Sequence, residues 1–145
     1  QWWPNGSRVE DGSARDDAWA QALSRVRRGA AVAIDYGHSR ADRRATLTGY
    51  RSGRQVPPVP DGSCDLTAHV ALDACAAATG ALLLPQRAAL TALGVSAALP
   101  APTDPAYALA LQRASQAREL LDPDGLGGFG WLVQTVGLDV GWMPW

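Results

Sequence analysis

Two short stretches of this sequence carry side chains of a kind that does chemistry. The first is Asp35-Tyr36-Gly37-His38, a carboxylate, a phenol and an imidazole that close an apolar run. The second is Asp65-Leu66-Thr67-Ala68-His69, a carboxylate and an imidazole four residues apart. On a helix that spacing puts two groups on one face, where an imidazole beside a carboxylate can act as acid or base near neutral pH. Each pair also has a plain structural reading. Asp35 can cap the following loop by accepting backbone N–H bonds, and His69 can be a satisfied structural residue. Asp35, His69 and a serine, Ser39 or Ser63, can be drawn as a hydrolytic triad, but no G-x-S-x-G elbow supports it. Cys64 and Cys75, the only thiols, fit neither a CxxC pair nor a zinc site with His38 and His69, so a metal site is not expected.

These residues need elements to hold them. Ala30–Ile34 is an unbroken apolar run bounded by Gly29 and Gly37, the pattern of a strand buried on both faces in an α/β sheet. A carboxylate at the C-terminal end of such a strand stands where open α/β sheets bind ligands. Before it, residues 16–28 predict a helix with Trp19, Leu23 and Val26 inward and arginines in its last turn. Residues 39–63 show no sustained periodicity and read as a long loop or lid over the strand end. Residues 63–79 predict a buried helix capped by Ser63 or Asp65 and stopped by Gly80, with His69 on its first turn. Residues 81–84 predict a short strand, 86–93 a short helix, and Asp104-Pro105 opens a helix to Leu121. Residues 124–128 form a glycine-rich loop, and 129–138 predict a second strand.

Length and composition point to one α/β domain over 1–145, 47% hydrophobic and 19% charged, a globular rather than a disordered chain. The net charge of −1 gives no reason to expect nucleic acid or an acidic membrane as partner. No signal-peptide pattern or spanning segment occurs, so a cytoplasmic location is expected. The chain opens on Gln1-Trp2-Trp3-Pro4 rather than on methionine, which points to processing or to a segment of a longer protein.

Three blocks together, residues 30–38 (AAVAIDYGH), 46–75 (TLTGYRSGRQVPPVPDGSCDLTAHVALDAC) and 85–95 (PQRAALTALGV), resemble the C-terminal half of the MidA-like S-adenosylmethionine-dependent methyltransferases. That family includes the mitochondrial arginine methyltransferase that assists assembly of respiratory complex I. The likeness rests on Asp35-Tyr36-Gly37, on Thr46-Leu47 with Tyr50, on Gly62 with Asp65-Leu66-Thr67 and His69-Val70, and on Gln86, Leu90 and Gly94. Ala45 and Ala89 depart from the family's usual glycine and phenylalanine. The resemblance implies the C-terminal portion of a Rossmann-like class I methyltransferase, with an incomplete mixed sheet whose last strand, 131–136, pairs antiparallel with 31–34 and with 81–84. It implies Asp35, Asp65 and His69 as catalytic groups and Tyr36, Gly37, Tyr50, Thr67 and Gln86 as substrate-binding ones. It also implies that the glycine-rich cofactor loop lies outside this chain, in a missing N-terminal half of the domain. The parent would then methylate a protein arginine or related nitrogen, and the isolated chain would be inactive. The alternative is a non-catalytic half-domain used for protein interaction, with the edge of the 30–34 strand as its pairing surface.

Overall fold

The computed structural model describes residues 10–42 and 44–138; the opening Gln1-Trp2-Trp3-Pro4 and the closing Trp142 and Trp145 lie outside these. The chain is mixed α/β. Helix α1 (Ser13–Ser24) leads into strand β1 (Gly29–Asp35) and a two-residue strand β2 (Gly37–His38). After a 3-10 turn at Arg40–Asp42 come β3 (Thr48–Arg51), β4 (Arg54–Val56), β5 (Asp65–Thr67) and β6 (Val70–Ala71). Then follow α2 (Leu72–Thr79), β7 (Leu82–Pro85), α3 (Gln86–Ala92), α4 (Tyr107–Leu121), a 3-10 turn at Leu126–Gly128 and β8 (Gly130–Val136).

The central sheet has the order β1-β8-β7, with β8 antiparallel to both neighbours. Val133 lies between Val32 and Leu82, and Trp131 between Ile34 and Leu84. This is the strand pairing expected from the resemblance. The strands do not form one mixed sheet, however. A parallel ladder of β2 with β6 and an antiparallel sheet β4-β3-β5 stand apart from it.

Two small cores sandwich the central sheet. On one face Leu72 and Cys75 of α2 pack on Leu132, with Trp19 of α1 and Ala33 against them. On the other, Ala89 of α3 packs on Leu84 and Val133. The expectation that β1 is buried on both faces does not hold. Its residues alternate, and Val32 and Ile34 remain 47% and 46% exposed. The reason is position: β1 is the edge strand, while α3 covers the β7–β8 side of that face.

Three local expectations are corrected. Helix α1 ends at Ser24, before the arginines, because the N–H groups of Arg25 and Val26 turn back onto the carbonyls of Ala22 and Leu23. Arg28 instead donates to the Gly137 carbonyl and ties the entry of β1 to the exit of β8. The segment read as an unstructured loop holds a hairpin. Ser52 and Gly53 both have positive φ (51° and 71°), the two-residue turn whose twist suits antiparallel strands, and Arg51 faces Arg54 across it. Finally, residues 63–79 are not one helix. Asp65–Thr67 pairs antiparallel with Thr48–Tyr50, and the helix begins only at Leu72. The β-branched pair Thr48 and Thr67, facing each other across the ladder, outweighs the helical spacing.

Cys75 is buried and Cys64 partly so, and both are free thiols. Burial, and then the thiol's hydrogen bond to the Asp16 carboxylate, push the Cys75 pKa upward. The thiolate is the reactive form, so a maleimide at pH 7.5 is expected to label Cys64 first. Cys75 should react at an appreciable rate only in denaturant, as peptide mass mapping will show; equal labelling in the folded chain contradicts this.

Candidate active site

The residues singled out in sequence gather around Tyr36, just past the C-terminal end of β1. The Tyr36 hydroxyl and the Thr67 Oγ1 share a hydrogen bond of 2.6 Å. The Tyr36 ring meets the His69 ring edge-on at 5.2 Å between centroids and the Phe129 ring at 5.7 Å. Such T-shaped contacts place a positive ring edge against a negative face and fix the rings relative to each other. The Val70 N–H bond to the Tyr36 carbonyl holds the same corner from the backbone.

Two cavities flank this corner and share Tyr36, Arg44 and His69. One, of about 610 Å³, is lined further by Thr46, Thr48, Tyr50 and Thr67. The other, of about 670 Å³, lies against Phe129, the end of α4 with Glu119, and the α4–β8 connection with Asp122 and Asp124. The second is therefore lined by three carboxylates, by the single guanidinium of Arg44 and by the rings of Tyr36, His69 and Phe129. A cation placed there meets an excess of carboxylates and aromatic side chains.

Five of the expected residues, Tyr36, Gly37, Tyr50, Thr67 and His69, line one or both cavities. The other three do not. Asp35 sits at the end of β1, but its Oδ1 accepts the Tyr36 N–H at 2.8 Å, the loop-capping reading weighed above. Asp65 is exposed on β5, paired with Tyr50, and does not share a helix face with His69, because no helix runs through them. His69 instead lies in the two-residue link between β5 and β6.

Gln86 is only 8% exposed and lies in the core. Its amide donates to the Leu126 carbonyl at 2.8 Å, and its Oε1 accepts the Trp131 indole N–H at 3.1 Å. The substrate-binding role implied for Gln86 gives way to a structural one: it pins the Leu126–Phe129 segment onto β8.

Sequence reasoning missed Arg44, Phe129, the three carboxylates near 120 and Glu10. The sequence pattern marks residues 124–128 only as a glycine-rich loop and gives Asp122, in the Asp-Pro-Asp-Gly run at 122–125, no role. The side chains of that run count because the chain reverses there, an Asx turn forming between the Asp122 Oδ1 and the Asp124 N–H. Nothing local in sequence marks Glu10, which acts across 36 residues.

No glycine opens a cradle for a nucleotide-like cofactor at this corner. A Cβ on Gly37 would meet the Leu72 Cδ1 and the Val70 carbonyl at 2.7 Å, and one on Gly130 would meet Leu72 at 2.2 Å. Protein atoms fill both places.

The fold and site define a mixed α/β protein with its candidate site beyond the C-terminal end of the first strand. A profile of the family described as "putative S-adenosyl-L-methionine-dependent methyltransferase" matches residues 3–84, more than half of the chain, and the chain belongs to that family. It is similar to a crystal structure of a COG1565 superfamily member from Burkholderia thailandensis bound to S-adenosyl-homocysteine, with 29% identity and a TM-score of 0.68 over 89% of this chain. A second structure, of a COG1565 superfamily protein from the same organism, shows 27% identity and a TM-score of 0.65 over 92% of this chain. The match covers 37% and 40% of those two chains. No curated protein matches.

Proposed function

We propose that this chain forms the substrate side of a Rossmann-like, S-adenosylmethionine-dependent methyltransferase of the MidA-like type, acting on a protein arginine or related nitrogen. The observation that carries the reading is the cavity at the end of β1, lined by the rings of Tyr36, His69 and Phe129 and by three carboxylates, Glu119, Asp122 and Asp124, against the one guanidinium of Arg44. A guanidinium fits that pairing of carboxylates and rings. Methylation of a guanidinium nitrogen releases one proton, and His69, in the wall of the cavity, is placed to accept it. When bound, S-adenosylmethionine supplies the electrophilic methyl group. The cofactor is held in this reading by the part of the fold that the matched structures possess and this chain does not span. Three observations support that: the packed glycines at the corner, the free outer edge of β1 among the described residues, and the exposed side chains of Val32 and Ile34 beside it. An unpaired seven-residue strand edge is a site for a further strand. A cytoplasmic location accords with this function; none of the described helices is long and apolar enough to cross a membrane.

The reading makes two demands on experiment. Calorimetry of the 145-residue chain with S-adenosylmethionine and S-adenosyl-homocysteine should give no heat at micromolar concentrations, and tight binding overturns the division of labour. The second test grafts this chain in place of the matching part of the S-adenosyl-homocysteine-bound relative. The graft should transfer a labelled methyl group to an arginine-containing protein and not to its lysine-substituted version; transfer to both, or only to small molecules, removes the arginine assignment. The second reading, a non-catalytic interaction half-domain, rests on the same free β1 edge. A graft that folds and binds cofactor yet methylates nothing favours it.

A further inference from the structure

We propose that Glu10 is the positioning residue of the site: through Thr46 it fixes the backbone of His69 in the cavity wall, and it does so as an anion. Glu10 lies before α1, far from the motifs in sequence. Its Oε1 accepts the N–H groups of Thr46 and Leu47, the latter at 2.8 Å, and its Oε2 accepts the Thr46 hydroxyl at 2.8 Å. With its proton committed to Glu10, the Thr46 oxygen turns a lone pair to the His69 N–H, which donates to it at 2.9 Å. The hydroxyl is thus polarised in one direction, carboxylate to hydroxyl to amide. His69 sits in the link between β5 and β6, where no ladder bond holds its own N–H, so this relay is what anchors it.

The arrangement requires a charged Glu10. A protonated carboxyl would donate to the Thr46 hydroxyl and reverse that bond, so the direction from carboxylate to hydroxyl to amide holds only for the anion. Burial raises the Glu10 pKa, but the three hydrogen bonds from Thr46 and Leu47, and then the charge of His38, outweigh it and hold the group below its ordinary value. The other ionisable groups around the cavity beside Glu10 are Asp11, Arg15 and Asp16 from the α1 side, His38 of β2 and His69 itself. Arg15 is paired with Asp16 at 2.7 Å, which leaves Glu10 to be charge-balanced by its donors. A folded pKa below the unfolded one makes the clamp fully present above about 4.3. It is lost as pH falls through the lowered folded value.

The inference concerns His69 geometry and rests on the methyltransferase reading only for what that geometry serves. Its test therefore uses the chain itself and no methyl transfer. Amide hydrogen exchange at pH 6 is expected to accelerate about tenfold or more at Thr46, Leu47 and His69 in Glu10→Ala, with distant β1 and β8 amides unchanged. In Thr46→Val only His69 should lose protection, while Leu47 keeps its bond to Glu10; Thr46→Ser restores the hydroxyl and should restore His69. In the wild type the His69 amide shift should follow the Glu10 titration seen at Leu47. That coupling should vanish in Thr46→Val and in Glu10→Gln, a signature that a merely structural contact does not give. Unchanged His69 exchange in Thr46→Val, or a His69 shift that in Glu10→Gln keeps the titration step shared with Leu47 in the wild type, overturns the proposal. So does uniform acceleration across the whole chain. If Glu10→Ala does not fold, the Thr46→Val and Thr46→Ser pair decides.

Discussion

Replacing Gln86 by alanine will lower the unfolding free energy by about 3–5 kcal/mol, among the largest losses any single polar substitution in this chain can cause. Gln86 is the one buried polar residue among the described residues, and its amide satisfies two part-buried partners at once, the Leu126 carbonyl and the Trp131 indole N–H. Truncation strands both, at about 1–3 kcal/mol each, and leaves a void where the buried side chain stood. Leucine at 86 fills most of the void and still leaves both partners unpaired, so it should recover only about 1 kcal/mol. Adding Trp131→Phe to Gln86→Leu removes one stranded group, and the double variant should therefore be more stable than the sum of the single losses. Urea titrations of the five proteins, Trp131→Phe alone included, give these differences. A Gln86→Ala loss below about 1 kcal/mol would mean that water replaces the amide, and the structural role argued for it would fall.

That prediction bears on the site, because Gln86 also binds the Phe129 carbonyl through its own N–H at 2.6 Å. Phe129 is a wall of the acidic cavity and the partner of Tyr36. Loosening Gln86 thus moves an aromatic ring of the site without touching a residue that faces the substrate. The glutamine that the resemblance put in the binding site serves it from behind.

What the sequence made legible is what local pattern encodes. The apolar runs of β1 and β8 and the stops at Gly80 and Gly94 reflect forces acting within a few residues, while the helix expected from Asp104-Pro105 starts two residues later, at Tyr107. The antiparallel register of β8 between β1 and β7 came from the family likeness, and the structure has it. The failures share a cause: a partner distant in sequence decided the local state. Asp65–Thr67 has helical spacing but finds Thr48–Tyr50 across a ladder, so Asp65 and His69 part company. Val32 and Ile34 read as doubly buried because an apolar run does not tell which side of it has neighbours. Glu10 was invisible because a lone glutamate before a helix carries no signal until Thr46 folds onto it. The Ser52-Gly53 turn, by contrast, was there to be read, a serine and glycine between β-prone TLTGYR and RQV, and was passed over.

The corner residue Tyr36 carries the largest expected functional effect. Its ring is packed by His69 on one edge and Phe129 on another, and its hydroxyl is held by Thr67. In the grafted methyltransferase, Tyr36→Ala should lower kcat/KM by about 10²-fold, because a displacement of about 1 Å at a reacting group costs that much. The loss should fall mainly on kcat if the ring's work is to hold His69, and mainly on KM if it is to bind the cation. Tyr36→Phe separates the two contributions of the side chain. It keeps both ring contacts and loses only the bond to Thr67, so its activity should remain within about tenfold of the parent. Thr67→Val, which removes the same bond from the other end, should match it. A Tyr36→Phe variant as impaired as Tyr36→Ala would place the hydroxyl, and not the ring, at the reacting atoms. Tyr36 would then have to be counted as a catalytic group beside the proton-accepting role proposed for His69, and the aromatic rings would be left as packing.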